Sequence, residues 1–242
     1  MKSEIKAEFS RTAAVIGEDG LQRLSRARVA VFGVGGVGGY VCESLARSGI
    51  GEIDIFDMDT VSPSNINRQI IATHETIGMY KTEAMRDRIA SINPEASVGC
   101  YNIFFDEDTK GNFDFSSYDY VIDAIDSLSA KVELIASVKE SDIKIISAMG
   151  AGNKLDPTMF EVSDISKTTV CPLARAVRTA LRKRGINHLK VVYSKEPPVI
   201  PPEVSDGEKK RVPASISFVP SVMGLIIAGE VIKDIARGEK KD

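Results

Sequence analysis

The sequence predicts an α/β fold: a mostly parallel central sheet, helices on both of its faces, and an additional strand and helix towards the C-terminus. Three observations predict it. The apolar run Val29-Ala30-Val31-Phe32 reads as a buried parallel strand. It runs straight into Gly33-Val34-Gly35-Gly36-Val37-Gly38, after which Val37, Val41, Leu45 and Ala46 recur on one face of a helix. A second short strand, Ile53-Asp54-Ile55-Phe56, then ends at Asp57. Strand, glycine turn and helix N-terminus make an anion cradle. Glycine lets the backbone approach a phosphate, and the helix start offers free N–H groups with a partial positive charge. An acid about 20 residues past the glycines suits a ribose hydroxyl. The spacing Gly33-x-Gly35-x-x-Gly38 is therefore a Rossmann-like nucleotide fingerprint, and by itself it serves NAD and FAD sites equally.

The chain has 242 residues, 43% of them hydrophobic, enough for one large unit with a sizeable core. The expectation is one domain over 1–242, with a nucleotide core at 8–165, a basic helix and Pro-rich crossover at 166–212, and a strand and helix at 213–236. A net charge of −3 gives no overall attraction to nucleic acid, so any basic surface must be local. Cys42, Cys100 and Cys171 are scattered and form no Cys-x-x-Cys pair. That fits a reducing cytoplasm and argues against a disulfide framework or a thiolate zinc site. Met1-Lys2-Ser3-Glu4-Ile5 lacks the apolar core of a signal peptide. The apolar run at 222–228 stops at Glu230, short of the roughly 20 residues a membrane span needs, so it reads as a core helix and no membrane partner is expected.

In chain order, residues 4–26 read as helix, with Ile5, Phe9, Ala13 and Ile16 at helical spacing. Arg11 lies on another face of it, where taken alone it is a solvated charge. Beyond Asp57 comes Met58-Asp59-Thr60-Val61-Ser62-Pro63-Ser64-Asn65-Ile66-Asn67-Arg68-Gln69, whose Pro63 and Ser/Asn cluster predict a turn and a helix start. Lys81 heads a helix with Ala84, Met85, Ile89 and Ile92 on its apolar side, ended by Asn93-Pro94. Residues 96–103 read as a strand and 105–118 as an acidic, Gly-containing loop. Tyr120-Val121-Ile122-Asp123-Ala124-Ile125 reads as a buried strand that delivers Asp126. Residues 129–140 form the next helix, 143–148 a strand, Gly150-Ala151-Gly152-Asn153 a turn, and 159–165 a further strand. Ligands of open α/β sheets bind beyond the carboxyl ends of the strands, so Asp57 and Asp126 are expected to face one crevice.

Residues 165–195 contain Lys167, Arg175, Arg178, Arg182, Lys183, Arg184, Lys190 and Lys195, and no Asp or Glu. A helix opens at Pro172 and ends at Gly185, with Leu173, Val177 and Leu181 on one face and Arg175, Arg178 and Arg182 on another. A charge run is ordinarily a solvated face, but such faces mix signs; a single sign points to an anionic partner, contacted through phosphate because few aromatics are interleaved. The Pro-rich stretch Glu196-Pro197-Pro198-Val199-Ile200-Pro201-Pro202-Glu203, with the polar run at 205–210, predicts a long extended loop. Residues 215–236 read as a strand followed by an apolar helix, in which Gly224 and Ala228 permit close approach to the sheet.

The set Asp57, Asn65, Arg68, Lys81 and Asp126 goes beyond a nicotinamide site, which needs one ribose acid and a dry surface for hydride transfer. It suits a triphosphate: Arg68 and Lys81 to neutralise phosphate oxygens, Asp126 to hold Mg2+. This arrangement resembles the adenylating enzymes of the ubiquitin-activating, MoeB and ThiF superfamily over roughly residues 8–165 and the terminal helix, most specifically in the run from Asp57 to Gln69 with Lys81 beyond it. The resemblance implies a Rossmann-like ATP-binding domain. It implies ATP held by Gly33, Gly35, Gly36, Gly38, Asp57, Asp59, Asn65, Arg68, Gln69 and Lys81, and catalysis by Arg11, Arg68, Lys81 and Asp126, with Asp126 on the metal. In those enzymes an N-terminal arginine of the partner subunit reaches the phosphates. Arg11 matches its position, which replaces the solvated reading and implies a homodimer.

Two departures narrow the resemblance. The paired Cys-x-x-Cys zinc ligands of MoeB and ThiF are absent, and the segment from Cys171 to Ile186 is basic. That segment, with Pro220-Ser221-Val222-Met223-Gly224-Leu225-Ile226-Ile227-Ala228-Gly229-Glu230, is similar to the TcdA (CsdL) branch, the tRNA threonylcarbamoyladenosine dehydratases, over nearly the whole chain. It implies ATP-dependent adenylation of the threonyl carboxylate of the modified adenosine, then ring closure with net loss of water. Arg175, Arg178, Arg182, Lys183 and Arg184 would then hold tRNA phosphates. The alternative within the superfamily is activation of the C-terminal carboxylate of a ubiquitin-like sulfur carrier, and sulfur-relay (cysteine desulfurase-type) proteins are partners the resemblance admits. Cys171 has two readings, an acyl-accepting thiolate among basic neighbours or a small apolar residue before a helix. Ring closure on an activated ester needs no covalent intermediate, which favours the second. Cys42 reads as core packing, and His74 and His188 suggest no site.

Overall fold

The computed structural model describes residues 5–199 and 213–238. The helix expected over 4–26 is broken in two, α1 (Ser10–Ile16) and α2 (Glu18–Arg26). Gly17 separates them at φ +82°, where side chains other than hydrogen are strained. Glu18 and Asp19 then occupy the first turn of α2, the end at which the helix dipole favours acids.

The chain continues through β1 (Arg28–Phe32), α3 (Gly38–Arg47), β2 (Glu52–Phe56), α4 (Lys81–Ile92), β3 (Ser97–Tyr101) and β4 (Tyr120–Asp123). It closes with α5 (Leu128–Glu140), β5 (Ile145–Ala148), β6 (Phe160–Asp164), α6 (Pro172–Lys183), β7 (Lys190–Ser194) and α7 (Phe218–Arg237). Among the described residues the strands form one seven-stranded sheet in the order β3-β2-β1-β4-β5-β7-β6. Every pairing is parallel except that of β6, which runs antiparallel to β7 at the edge. The order reverses beside β1, so the crevice beyond the carboxyl ends of β1 and β4 is where such a sheet takes its ligand. Register sets its height: Phe32 lies opposite Phe56 on β2 and Asp123 on β4, so the glycine turn, Asp57 and the loop after β4 all leave the sheet at one level.

Side chains alternate across a strand, and β1 sends Val29 and Val31 to one core, Ala30 and Phe32 to the other. Leu24, Leu45, Met85, Ile89, Met223 and Ile227 close the first core from α2, α3, α4 and α7. Leu134, Ile135, Val138, Val177 and Leu181 close the second from α5 and α6. The loop at 105–118 takes part in this packing: Phe105 and Phe115 are buried and, with Phe113, surround the stacked Phe32–Phe56 pair, whose ring centroids are 4.3 Å apart.

Two further elements differ from the sequence expectation. Residues 190–194, read there only as part of a basic stretch, form β7, whose Val191, Val192 and Tyr193 are buried. The C-terminal strand expected before α7 does not form among the described residues. Asn153, at φ +58°, takes up that backbone instead: its N–H donates to Ala214 O, its Oδ1 accepts from Ala214 N, and its carbonyl accepts from Val199 N, each at 2.7 Å. The stretch 196–199 enters this junction, and the remainder of the expected Pro-rich loop lies outside the described residues.

Candidate active site

The glycine turn is built by close approach. Gly33 stands at φ +89°, and a Cβ on it would lie 2.7 Å from Ala124 O. A Cβ on Gly38 would collide with the Gly33 carbonyl. Gly35 has open space around it apart from Gln69 Nε2, 3.9 Å from where its Cβ would be. Among the described residues no acceptor takes the N–H groups of Gly35, Gly36, Val37 and Gly38, so the start of α3 offers four unpaired donors.

Asp57 follows β2 immediately and ties this turn to the next loop. Its Oδ2 accepts from Val34 N at 2.7 Å and its Oδ1 from Asp59 N at 2.9 Å. Burial pushes the Asp57 carboxyl up; Lys81 and the two backbone N–H groups pull it back only in part, and it stays above the usual carboxylate range. Lys81, the first residue of α4, is 7% exposed; its Nζ lies 2.6 Å from Asp59 Oδ2 and 3.8 Å from Asp57 Oδ1. A short bridge between Thr60 and Tyr80 and the Lys81 N–H to Asp59 O bond hold the loop against the start of α4.

The turn at Pro63–Asn65 is a capping box in which Ser62 N donates to Asn65 Oδ1 at 3.0 Å. This leaves the Asn65 amide nitrogen without a described acceptor. Arg68 lies along the glycine turn, its Cγ 3.4 Å from the position of a Gly36 Cβ, while Nη1 donates to Ser64 O and Asn67 Oδ1, both at 2.9 Å. Gln69 is buried, and its Oε1 is the buried side-chain oxygen left without a partner among the described residues. An unpaired buried amide oxygen beside an open glycine and four unpaired N–H groups leaves polar groups that a ligand or water must satisfy.

Asp126 is exposed on the loop after β4, two residues beyond the Ala124 carbonyl that abuts Gly33. It has no hydrogen bond or ion pair to a described residue, and no cluster of three or more His, Cys, Asp or Glu forms a closed metal cage among them. One free carboxylate beside a phosphate cradle fits Mg2+, which keeps much of its water and takes one or two carboxylates plus substrate phosphates. Arg11 is not brought to this crevice. It is exposed on α1, and Phe9 just before it packs near Gly49, past the C-terminal end of α3, whereas the glycine turn is at the N-terminal end.

The five basic residues at 175–184 divide. Arg175, Arg182 and Lys183 are exposed and unpaired among the described residues. Arg178 is committed to the protein, donating from Nη1 to Thr168 O at 3.0 Å and to Thr168 Oγ1. Arg184 pairs with Glu133 at 2.7 Å. Arg175, Lys183 and Arg184 border a groove of about 550 Å3 between α5 and α6. It is lined by α5 and α6 and not by the glycine turn. Cys171 is buried at the start of α6, the place of a small apolar residue.

Sequence reasoning missed a second layer behind Asp126: the fully buried Asp123, Lys131 and Ser147. Asp123 lies inside the strand read as buried and Lys131 inside the helix expected at 129–140, and a lysine eight residues after an acid carries no local signal. It also missed Pro220, which stands over Gly36 from α7, and the use of Gly224, whose Cβ would overlap Val37 O at the start of α3 rather than the sheet.

The ThiF family pattern matches residues 9–241. A tRNA threonylcarbamoyladenosine dehydratase of Bacillus subtilis is 44% identical over 241 residues, covering 95% of both chains. The Escherichia coli enzyme TcdA, tRNA N6-threonylcarbamoyladenosine dehydratase, has been solved with AMP and with ATP. These structures superpose with TM-scores of 0.87 and 0.86 at 36% and 35% identity, covering 95% of this chain and 94% of theirs. A molybdopterin-synthase adenylyltransferase of Salmonella typhimurium is 32% identical, over only 59% of this chain and 57% of its own. By a match running through nearly its whole length, and by the turn on which its crevice is built, the chain belongs to the ThiF family.

Proposed function

We propose that this protein is an ATP-dependent adenylating dehydratase that acts on threonylcarbamoyladenosine in tRNA, working as one domain over 1–242. The observation that supports it is a glycine turn tied to Asp57 and flanked by Arg68, with Lys81 beside Asp57 and Asp126 two residues past the Ala124 that abuts Gly33, in a chain alike over 95% of its length to a dehydratase solved with ATP. The ribose lies against Asp57, and the phosphates lie over the free N–H groups of the turn within reach of Asn65, Arg68, Gln69 and Lys81. Asp59, which now neutralises Lys81, gives way to phosphate there. A carboxylate oxygen of the substrate attacks the α-phosphorus; the bond to pyrophosphate breaks, and an acyl-adenylate forms. No general base is needed, since that carboxylate is already ionised. An internal nucleophile of the modified base then attacks the acyl carbon, loses its proton, and AMP departs with the carboxylate oxygen, so the net change is loss of water. Catalysis is charge neutralisation and in-line placement.

Asp126 would hold Mg2+, which when bound supplies charge neutralisation at the phosphates. A homodimer completes the site: Arg11 sits away from its own crevice, and Val15, one turn on along α1, is 85% exposed, so both are available to a second copy. Arg175, Arg182 and Lys183 offer the unpaired charge for tRNA phosphates. No helix among the described residues is long and apolar enough to cross a membrane. The three cysteines are free thiols, which supports a reducing cytoplasm. Sulfur-relay partners rest on family resemblance alone.

The test is to incubate the protein with ATP, Mg2+ and tRNA carrying the open threonylcarbamoyl group. AMP and pyrophosphate should form, and the nucleoside should lose the mass of one water. No AMP above background with this tRNA, but pyrophosphate exchange with a carrier protein ending in Gly-Gly, would shift the reading to carrier activation.

A further inference from the structure

Asp123, Lys131 and Ser147 are all fully buried where the carboxyl ends of β4 and β5 meet the first turn of α5. Lys131 Nζ donates to Asp123 Oδ2 at 2.8 Å and to Ala148 O at 3.0 Å, with Ser147 Oγ at 3.4 Å. Ser147 Oγ donates to Asp123 Oδ2 at 2.5 Å, and Asp123 Oδ1 accepts from Ile125 N at 3.1 Å. The last bond fixes the Ala124–Ile125 peptide, whose carbonyl abuts Gly33, immediately before Asp126. A buried ion pair is a poor device for stability, since apolar residues of the same volume commonly serve as well. Its place here, directly behind the loop that carries Asp126, calls for another role.

We infer that Lys131 is a positioning residue for the metal–nucleotide step, acting through Asp123 and Ser147 as a clamp on the 124–126 loop. The inference rests on Asp126 being the metal carboxylate. The ammonium orients the Asp123 carboxylate. That carboxylate holds the Ile125 N–H, and the loop so fixed presents Asp126 towards the phosphates while Ala124 presses on Gly33. Groups one layer behind a metal ligand typically set its affinity within about 10- to 100-fold. None of the three touches the nucleotide, so metal-free binding should be insensitive to them.

The test uses the double variant Lys131→Met/Asp123→Asn, which keeps volume and leaves no unpaired buried charge, and the milder Ser147→Ala. Mn2+ binding in the presence of a non-hydrolysable ATP analogue is read from the EPR signal of free Mn2+; affinity for the analogue without metal is read by calorimetry. The double variant should bind the metal-free analogue as the wild type does, yet lose about tenfold or more in Mn2+ affinity and in kcat. Ser147→Ala should lose about threefold in Mn2+ affinity, the worth of one hydrogen bond. Wild-type Mn2+ affinity in the folded double variant, or in Ser147→Ala where the double variant does not fold, overturns the clamp. Asp126→Asn separates the two readings: weakened Mn2+ binding there with none in the clamp variants sinks the clamp alone, whereas unchanged binding in Asp126→Asn sinks the metal reading and the clamp with it.

Discussion

Gly33 and Gly38 close the nucleotide turn directly on one another: a Cβ on Gly38 would overlap the Gly33 carbonyl oxygen. With Gly33 itself pressed on Ala124, the turn has no room for a methyl group at either position, while Gly35 between them faces open space. Close packing at the ends and openness in the middle leave α3's unpaired N–H groups available to a ligand.

Arg68 and Asp126 should separate binding from turnover. Arg68→Ala removes a cation from ground-state phosphates and should raise the ATP dissociation constant about 10- to 100-fold, since hydrogen bonds to charged groups contribute about 1.5–3 kcal/mol. Asp126→Ala should lower kcat at least about 100-fold while leaving metal-free ATP affinity within about threefold. Calorimetry with ATP, and AMP release from ATP with tRNA, check both. Full activity in Asp126→Ala would show that this carboxylate holds no metal.

Asp57 predicts an acid limb in nucleotide binding. Its folded carboxyl is raised above the usual range by burial, so it takes up a proton at a higher pH than a free aspartate. ATP affinity, which uses the carboxylate, is full above that raised value and falls as pH drops through it. Fold stability runs the other way. A raised carboxyl costs stability when charged, and that cost is relieved on acidification through the same window. Calorimetric titrations with ATP across the carboxylate range, run beside thermal melts, should show the opposed slopes; an affinity flat with pH would remove Asp57 from the ribose.

Gly224 and Gly229 lie on one helix and should respond in opposite directions. A Cβ at Gly224 would overlap Val37 O and stand 2.9 Å from Tyr40 Cβ, whereas nothing lies within 4 Å at Gly229. Gly224→Ala should cost about 1–3 kcal/mol through overpacking and loosen the start of α3, lowering ATP affinity too. Gly229→Ala should leave ATP affinity alone and gain up to about 1 kcal/mol from helix propensity. Chemical denaturation of both variants measures the contrast.

The α6 face gives a prediction in salt. Reversing Arg175 and Lys183 to Glu should weaken tRNA binding about tenfold or more at low salt and flatten its salt dependence by about one unit of slope for each phosphate no longer neutralised. Arg178→Ala should instead lower the melting temperature, because that side chain holds the Thr168 segment through its carbonyl and hydroxyl. Filter binding across a salt series distinguishes them; equal tRNA effects from Arg178 and Arg175 would contradict the division.

The parts legible in the chain were the local ones. Val29 to Phe32, the glycine spacing and Asp57 are contiguous signals, each complete within a few residues, and the structure places them where they were expected. The run from Asp57 to Gln69 was legible for the same reason. Less legible were segments whose character depends on neighbours. The central residues of β7 are apolar, but they sit within a stretch dominated by positive charge; what makes them a strand is the gap between β5 and β6. The stretch before α7 looked extended, yet its backbone is paired with Asn153, 61 positions earlier for Ala214. Gly17 interrupts a helical period that reads as continuous because the apolar spacing carries across the break.

Periodicity and glycine spacing along the chain were therefore enough for the α/β class and for the glycine turn between β1 and α3, since these follow from backbone sterics at short range. Which cations stay free on α6, which glycines on α7 face α3, and how Asp123, Lys131 and Ser147 come together behind Asp126 are settled by packing. Those contacts join residues of different strands and helices, and their energies exist only once the sheet has brought its strands side by side.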